Sequence, residues 1–177
     1  MKLKNIYITG IAGFLASHLA DRFIKLGYNV SGNDTLIGGL KSNINKLVNF
    51  HNSDCCDLDE MTKNINGSDI VIHTAASAHE GLSVFSPYFI TKNNFQASTS
   101  IITASIRNNV KKFIFCSSMA RYGKQQIPFK ENQPPLPVDP YGIAKVASEN
   151  ILKNLGEVHG MKWNIAVPHN IVGPRQR

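Results

Sequence analysis

Three residue types at particular spacings in this chain could move a proton. Tyr141 and Lys145 stand four apart in a stretch, Tyr141 to His159, that reads as a helix, so both lie on one face a turn apart. A free tyrosine titrates near ~10 and is a poor base at neutral pH. A neighbouring ammonium would stabilise the phenolate and draw that value down. Ser118 follows the apolar run Lys112-Phe113-Ile114-Phe115-Cys116 and supplies a neutral hydroxyl for the same substrate oxygen. Tyr-x-x-x-Lys arises by chance in many helices, so the constellation gains meaning only from what surrounds it.

What surrounds it begins at Ile6-Tyr7-Ile8-Thr9-Gly10-Ile11-Ala12-Gly13-Phe14-Leu15-Ala16. Leu3, Ile6, Tyr7 and Ile8 suit a buried parallel strand. Phe14, Leu15, Leu19, Phe23 and Leu26 then repeat at helical spacing. The glycine-bearing turn therefore lies between a strand and a helix N-terminus, where free N–H groups and the helix dipole favour a diphosphate. Gly10 permits the tight turn, Gly13 admits a close pyrophosphate, and small Ala16 lets the helix pack on the strand. Gly27 closes that helix. A second strand is expected over Tyr28–Gly32, with Asp34 beyond it, 21 residues past Gly13. A carboxylate about 20 residues on is placed to accept ribose hydroxyls. Thr35, Leu36 and Ile37 follow it, with no cation to neutralise a 2′-phosphate, which points to NAD rather than NADP.

Further along, Leu47–Phe50 suits a third strand, Leu58–Ile65 a helix, Asp69–His73 a fourth strand and Thr91–Asn109 a long helix. Lys112–Cys116 is a fifth strand. A proline-rich loop over 123–140 precedes the Tyr141–His159 helix, which Gly160 stops, and Trp163–Val167 is a sixth strand. Alternating strands and helices predict an α/β fold: a doubly wound parallel sheet (Rossmann) with helices on both faces and right-handed crossovers. Its ligand belongs at the carboxyl ends of the strands, where Thr9, Asp34, His73, Ser117 and Val167 all fall.

At 177 residues the chain can form one domain with a real core. Its 42% hydrophobic and 18% charged residues exclude disorder. The net charge of +7 could suit nucleic acid, but no Lys/Arg run exceeds Lys111-Lys112 and no aromatics interleave with one, so no nucleic-acid partner is expected. Cys55, Cys56 and Cys116 form neither a disulfide framework nor a zinc spacing, and no metal is expected. Met1-Lys2-Leu3-Lys4 leads straight into the first strand and no apolar run approaches the ~18 residues of a span. A cytoplasmic protein without membrane association is the expectation.

Taken together, Thr9-Gly10-x-x-Gly13-Phe14-Leu15, Asp34, His73-x-Ala75-Ala76, Asn94, Ser117-Ser118 with Tyr122-Gly123, Tyr141-x-x-x-Lys145 and Pro168-x-Asn170 resemble the extended short-chain dehydrogenase/reductase family. Within it the chain is similar to the NAD-dependent epimerase/dehydratase group acting on nucleotide sugars, on the UDP-glucose 4-epimerase-like side. The resemblance implies catalytic roles for Ser118, Tyr141 and Lys145. It implies cofactor contacts from Gly10, Ala12, Gly13, Phe14, Leu15, Asp34, Asp57, Leu58, Ala75, Ala76, Asn94, Ser117, Tyr141, Lys145 and Pro168. Asp57-Leu58 would lie against the adenine, and Lys145 would also bond the nicotinamide ribose. Substrate contacts would come from Glu80, Ser118 and Asn170, with His79-Glu80-Gly81-Leu82-Ser83 as a substrate-facing loop. Met119 and Ala120 stand where dehydratases of the family carry an Asp-Glu pair, which favours epimerisation over water loss. The implied substrate is a UDP-sugar. A nucleotide-sugar reductase or dehydratase of the same family, or a non-catalytic NAD-binding module, are the other readings. The implied assembly is a homodimer, built through Phe95, Ile101, Ile102 and Ile106 on one helix and Ile143, Val146, Ile151 and Leu155 on the other. Residues 1–177 would be the NAD(P)-binding domain, with the family's C-terminal substrate-binding part absent and this chain inactive alone.

Calorimetric titration checks the cofactor expectation. NAD should bind more tightly than NADP, and Asp34→Ala should weaken NAD by about 1.5–3 kcal/mol, the value of a charge-assisted hydrogen bond. Equal or tighter NADP binding by the unaltered chain would contradict it.

Overall fold

The computed structural model describes residues 4–78 and 80–176, so Leu3 and His79 lie outside the described residues. Six strands form one parallel sheet in the order β3-β2-β1-β4-β5-β6. They are β1 (Asn5–Thr9), β2 (Asn29–Asp34), β3 (Asn49–Asn52), β4 (Ile70–His73), β5 (Lys112–Cys116) and β6 (Lys162–Ala166). The helices are α1 (Phe14–Lys25), α2 (Leu58–Asn64), α3 (Glu80–Ser83), α4 (Pro87–Thr91), α5 (Ala97–Arg107) and α6 (Pro140–His159). The order reverses between β1 and β4, and all six carboxyl ends share one edge of the sheet. That edge is the expected ligand side of a doubly wound fold.

Each sheet face has its own core. On one, Ile6, Ile8, Ile11 and Val30 pack against Ala16 and Ala20 of α1. On the other, Tyr7, Val71, Phe113 and Phe115 meet Met61, Ile101, Ile102 and Leu152 from α2, α5 and α6. The central strands are buried on both faces, which is why β1 and β4 read as unbroken apolar runs rather than alternating ones.

Three readings need correction. The second strand runs Asn29–Asp34 rather than Tyr28–Gly32, with Asp34 its last residue. The third strand is Asn49–Asn52, displaced from Leu47–Phe50; Leu47 is exposed and outside the pairing. The long helix begins at Pro87 rather than Thr91 and changes character at Lys92–Gln96, one π-helical turn, before resuming as α5. Pro87 occupies the first helical position, where its missing N–H costs nothing. Apolar periodicity cannot show a single inserted residue, because the stripe resumes after it.

Candidate functional site

The glycine turn is tight for a visible reason. Gly10 has φ +69°, and a Cβ there would stand 2.9 Å from the Ala75 Cα. The turn is thus pressed on the backbone that follows β4, and only glycine fits. Gly13 begins α1 with no side-chain cap, leaving first-turn N–H groups aimed outward at the sheet's carboxyl edge. Phe14 and Leu15 form that first turn, half-buried. Asp34 braces the turn: one carboxylate oxygen accepts the Ala12 N–H at 3.0 Å and the other accepts the Leu36 N–H at 2.8 Å. Each oxygen keeps a lone pair for a further donor. The loop after β2 folds back as well. Leu40 N–H and Asn43 Nδ2 both donate to the Ala12 carbonyl, at 3.1 and 3.0 Å, and a Cβ on Gly39 would fall 2.6 Å from the Ala12 Cβ. Gly39 and Asn43 were not singled out from sequence; the Gly38-Gly39 pair was the available signal.

Between the turn and the proton-transfer residues runs a buried relay. Thr9 Oγ1 accepts the N–H groups of Thr74 and Ala75, both at 3.1 Å, and lies 2.7 Å from His73 Nδ1. Ser98 Oγ donates to the Asn94 carbonyl and lies 2.9 Å from His73 Nε2. Ser98 has one hydrogen and gives it to Asn94, so His73 must donate from Nε2. Nδ1 must then accept from Thr9. The neutral Nε2–H tautomer is the one form that satisfies the relay. Burial, with the Lys145 charge adding to it, pulls the His73 pKa down to about 3. Asn94, in the π-helical turn, donates to Ile90 and Ser77 carbonyls, and its buried Oδ1 has no partner among the described residues.

The candidate proton-transfer residues Ser118, Tyr141 and Lys145 converge at the end of β5. Asp139 caps α6, accepting the Gly142 N–H at 2.8 Å. Gly142 lets the helix start against the Met119–Tyr122 turn; a Cβ would meet the Ala120 carbonyl oxygen at 2.8 Å. Tyr141 is thereby held beside Ser118. Ser118 Oγ accepts the Ala120 N–H at 3.1 Å, leaving its own hydrogen free to be donated. Lys145 is 2% exposed, donates to the Cys116 carbonyl at 2.9 Å, and its Nζ lies 5.8 Å from the Tyr141 ring centre. Ser118, Tyr141, Glu80 and Asn170 line one cleft of about 660 Å³ with Ala78, Gly81 and Leu82.

The expectation that Lys145 lowers the Tyr141 pKa does not hold. Burial dominates and pushes the phenol up to about 12, against the lowering effect of the Ser118 hydroxyl. Burial also pulls the Lys145 ammonium down to about 8. At neutral pH the tyrosine is a phenol and the lysine mostly charged.

The remaining positions divide. Ala75 and Ala76 follow β4 against the glycine turn. Pro168 accepts the Met119 N–H through its carbonyl at 3.2 Å. The Ser117 side chain faces inward to Glu149, so only its backbone lies toward the cleft side. Asp57 caps α2 by accepting the Glu60 N–H, and Leu58 packs on the core. Ile101 and Ile102 are fully buried in the core and present no surface to a second copy, contrary to the expectation.

The fold and site define a doubly wound α/β domain with a glycine turn after β1 and a cleft at Ser118 and Tyr141 after β5. The family model for the NAD dependent epimerase/dehydratase family matches residues 6–177, and the chain belongs to that family. A relative from Methanocaldococcus jannaschii is 34% identical over 174 residues, covering 97% of this chain and 57% of the relative. The UDP-glucose 4-epimerase of Streptomyces lividans is 30% identical over 171 residues, covering 94% of this chain and 52% of its own. Among solved structures, the Thermotoga maritima UDP-glucose 4-epimerase with UDP-glucose superposes at TM-score 0.94, with 35% identity, over 98% of this chain and 58% of that one. The Thermus thermophilus UDP-glucose 4-epimerase complex with NAD gives 0.93 and 30%, over 98% and 57%. The chain spans just over half the length of these relatives.

The relay has a pH consequence. A histidine held neutral in the fold binds fewer protons than it does unfolded, where it titrates near 6.5. Its stabilising contribution is therefore complete above about 6.5 and is lost progressively as pH falls toward about 3. The slope from this one group approaches about 1.4 kcal/mol per pH unit. Melting temperatures between pH 7.5 and 4 should fall more steeply for the unaltered chain than for His73→Gln. Parallel slopes would remove His73 from the acid response.

Proposed function

We propose that this chain is the NAD-binding and proton-transfer part of a nucleotide-sugar 4-epimerase, with a UDP-sugar as substrate. One observation carries the reading: Ser118 and Tyr141 open with Asn170 and Glu80 into a single cleft, with buried Lys145 one helical turn from Tyr141. The residues fit the cofactor. Gly10 to Leu15 cradle a pyrophosphate, Asp34 keeps free acceptor sites for the adenosine ribose, and Ala75, Ala76, Asn94, Ser117 and Pro168 flank the remainder. Asp57 and Leu58 would lie against the adenine.

NAD, when bound, supplies a hydride acceptor for the sugar C4 and a donor to the opposite face. The chain's own residues do the rest. Tyr141 holds the proton exchanged with the C4 hydroxyl. Ser118 donates a hydrogen bond to the same oxygen, its acceptor side being occupied by Ala120. Lys145 keeps a positive charge behind the phenol, where a developing phenolate would be stabilised. Asn170 offers an amide to the diphosphate, and Glu80 accepts from sugar hydroxyls. A reductase of the same family would need the same three proton-transfer residues, and product analysis separates the two. A dehydratase is disfavoured by Met119 and Ala120. A module that only binds NAD would not require Tyr141, Lys145 and Ser118 together.

The relatives' remaining length has no counterpart in these 177 residues, and orientation of bound reactants is worth about 7–11 kcal/mol at its upper end. The chain alone should therefore bind NAD without epimerising UDP-sugars. In a protein carrying this region with the remainder its relatives possess, Tyr141→Phe should lower turnover by ~10²–10⁴ with NAD still bound. Retained turnover would move the proton to another group, Ser118 first.

A homodimer through α5 and α6 completes the proposal, with half-buried Phe95 and Ile106 and the exposed Ile143 as its apolar contacts. Sedimentation should show a dimer at micromolar concentration, and Ile143→Glu should dissociate it. A monomer throughout would count against this surface.

A further inference from the structure

One turn beyond Lys145, α6 carries a second buried charge that the proton-transfer reading leaves unused. Glu149 is 0% exposed. One of its oxygens accepts the Ser117 hydroxyl at 2.5 Å. The other faces Arg121 Nη2 at 3.2 Å and Lys153 Nζ at 3.8 Å without a well-directed hydrogen bond to either. Arg121 is itself nearly buried, and its Nε has no partner among the described residues.

A strut between helix and strand would not need this charge. A glutamine could take the Ser117 hydrogen bond and avoid the desolvation that a buried carboxylate suffers. The placement suggests what the charge is for. Lys145 bonds the Cys116 carbonyl and Glu149 bonds the Ser117 hydroxyl. Adjacent residues at one strand end thus hold two side chains four apart on one helix face, both out of water. The next residue after that pair is Ser118, and the turn it caps contains Arg121.

Other groups face Lys145 from each packed element: Tyr141 on α6, Cys116 on β5 and His73 on β4, with Arg121 and Lys153 behind Glu149. Burial keeps the Tyr141 phenol and the Cys116 thiol protonated and His73 neutral at neutral pH. Among these neighbours Glu149 is the one anion. Burial dominates and lowers the Lys145 ammonium; Cys116, and after it Glu149, act in the opposite direction.

We propose that Glu149 is a positioning residue for the proton-transfer site: it fixes the strand end that presents Ser118 and holds Lys145 in its ammonium form, with Arg121 limiting how strongly it does so. The inference rests on Lys145 being the cation behind Tyr141, but its test reads the titration of the amine and needs no turnover. Failure of the epimerase reading and failure of this one are therefore distinguishable.

The 177-residue chain, labelled with ¹³C-lysine, would be followed by the Lys145 Cε chemical shift against pH, the signal being assigned by its loss in Lys145→Gln. Glu149→Gln should lower the midpoint by about one pH unit. Arg121→Gln should raise it, because an unneutralised carboxylate then faces the amine. Arg121→Lys should restore the original midpoint. A strut alone predicts no such opposed pair. Midpoints that stay put in both variants, or move the same way, would overturn the proposal. Should Glu149→Gln fail to fold, the Arg121 pair decides it: a midpoint unmoved by Arg121→Gln overturns the inference and one raised and then restored supports it.

Discussion

The Thr9 hydroxyl and the His73 ring meet at 2.7 Å between the two strands where the sheet reverses direction. Much of the site depends on that contact. On one side, Thr9 gathers the Thr74 and Ala75 N–H groups and so sets the backbone on which the Gly10 turn rests. On the other, His73 reaches through Ser98 to the π-helical turn at Asn94. The nucleotide turn and the α5 helix are thereby tied to one imidazole in one tautomer. A buried polar relay of this kind, satisfied from Thr9 through His73 to Ser98, specifies a single arrangement, because a break leaves an unpaired group in a medium where that is costly. The inserted residue of the π-helical turn sits where the Asn94 carbonyl must face Ser98.

Electrostatics in the cleft follow from the same burial. The closed environment that sharpens hydrogen bonds also disfavours charge, so the Tyr141 phenol is raised and the Lys145 ammonium lowered. Two protons are thus stored at the site when it rests at neutral pH. That state suits the acid half of an acid–base exchange directly. The base half requires a phenolate, and the stabilisation available to it within the chain is the Ser118 hydrogen and the Lys145 charge. Sequence spacing suggested that the lysine alone would dominate. The side chain instead turns to the Cys116 carbonyl, with its Nζ 5.8 Å from the Tyr141 ring centre.

How much was legible followed how local each signal was. Tyr141 and Lys145 were readable because helical geometry converts a spacing of four into proximity. The glycine turn and Asp34 were readable because a strand, a turn and a helix follow one another directly. The Gly39 and Asn43 contacts to Ala12 were not, since they depend on how an irregular loop folds back. Nor was Gly142, whose missing side chain matters only because Ala120 approaches from another segment. Glu149 was hidden for the same reason: its partner Ser117 lies 32 residues away. Ile101 and Ile102 looked like surplus apolar residues because periodicity reveals a face and not which neighbour covers it. Here the covering neighbours are the sheet and α2.

The buried charges of α6 make sense only as a set. An isolated Lys145 ammonium in this position would be strongly disfavoured, and so would an isolated Glu149 carboxylate. Four residues apart on one face, Lys145 bonds the Cys116 carbonyl while Glu149 faces Arg121 and Lys153, which leave the group with a net positive charge. Such a group is poorer as a structural cement than the apolar residues it displaces. It does provide a fixed positive potential at the one place where a phenolate would have to form, with no solvent to reorganise around it. The sheet contributes the rigidity: Cys116 ends β5 between β4 and β6, and the next residue, Ser117, is tied by its N–H to the Ala166 carbonyl of β6. The positive potential behind Tyr141 is therefore held in place by the fold for as long as Lys145 keeps its proton.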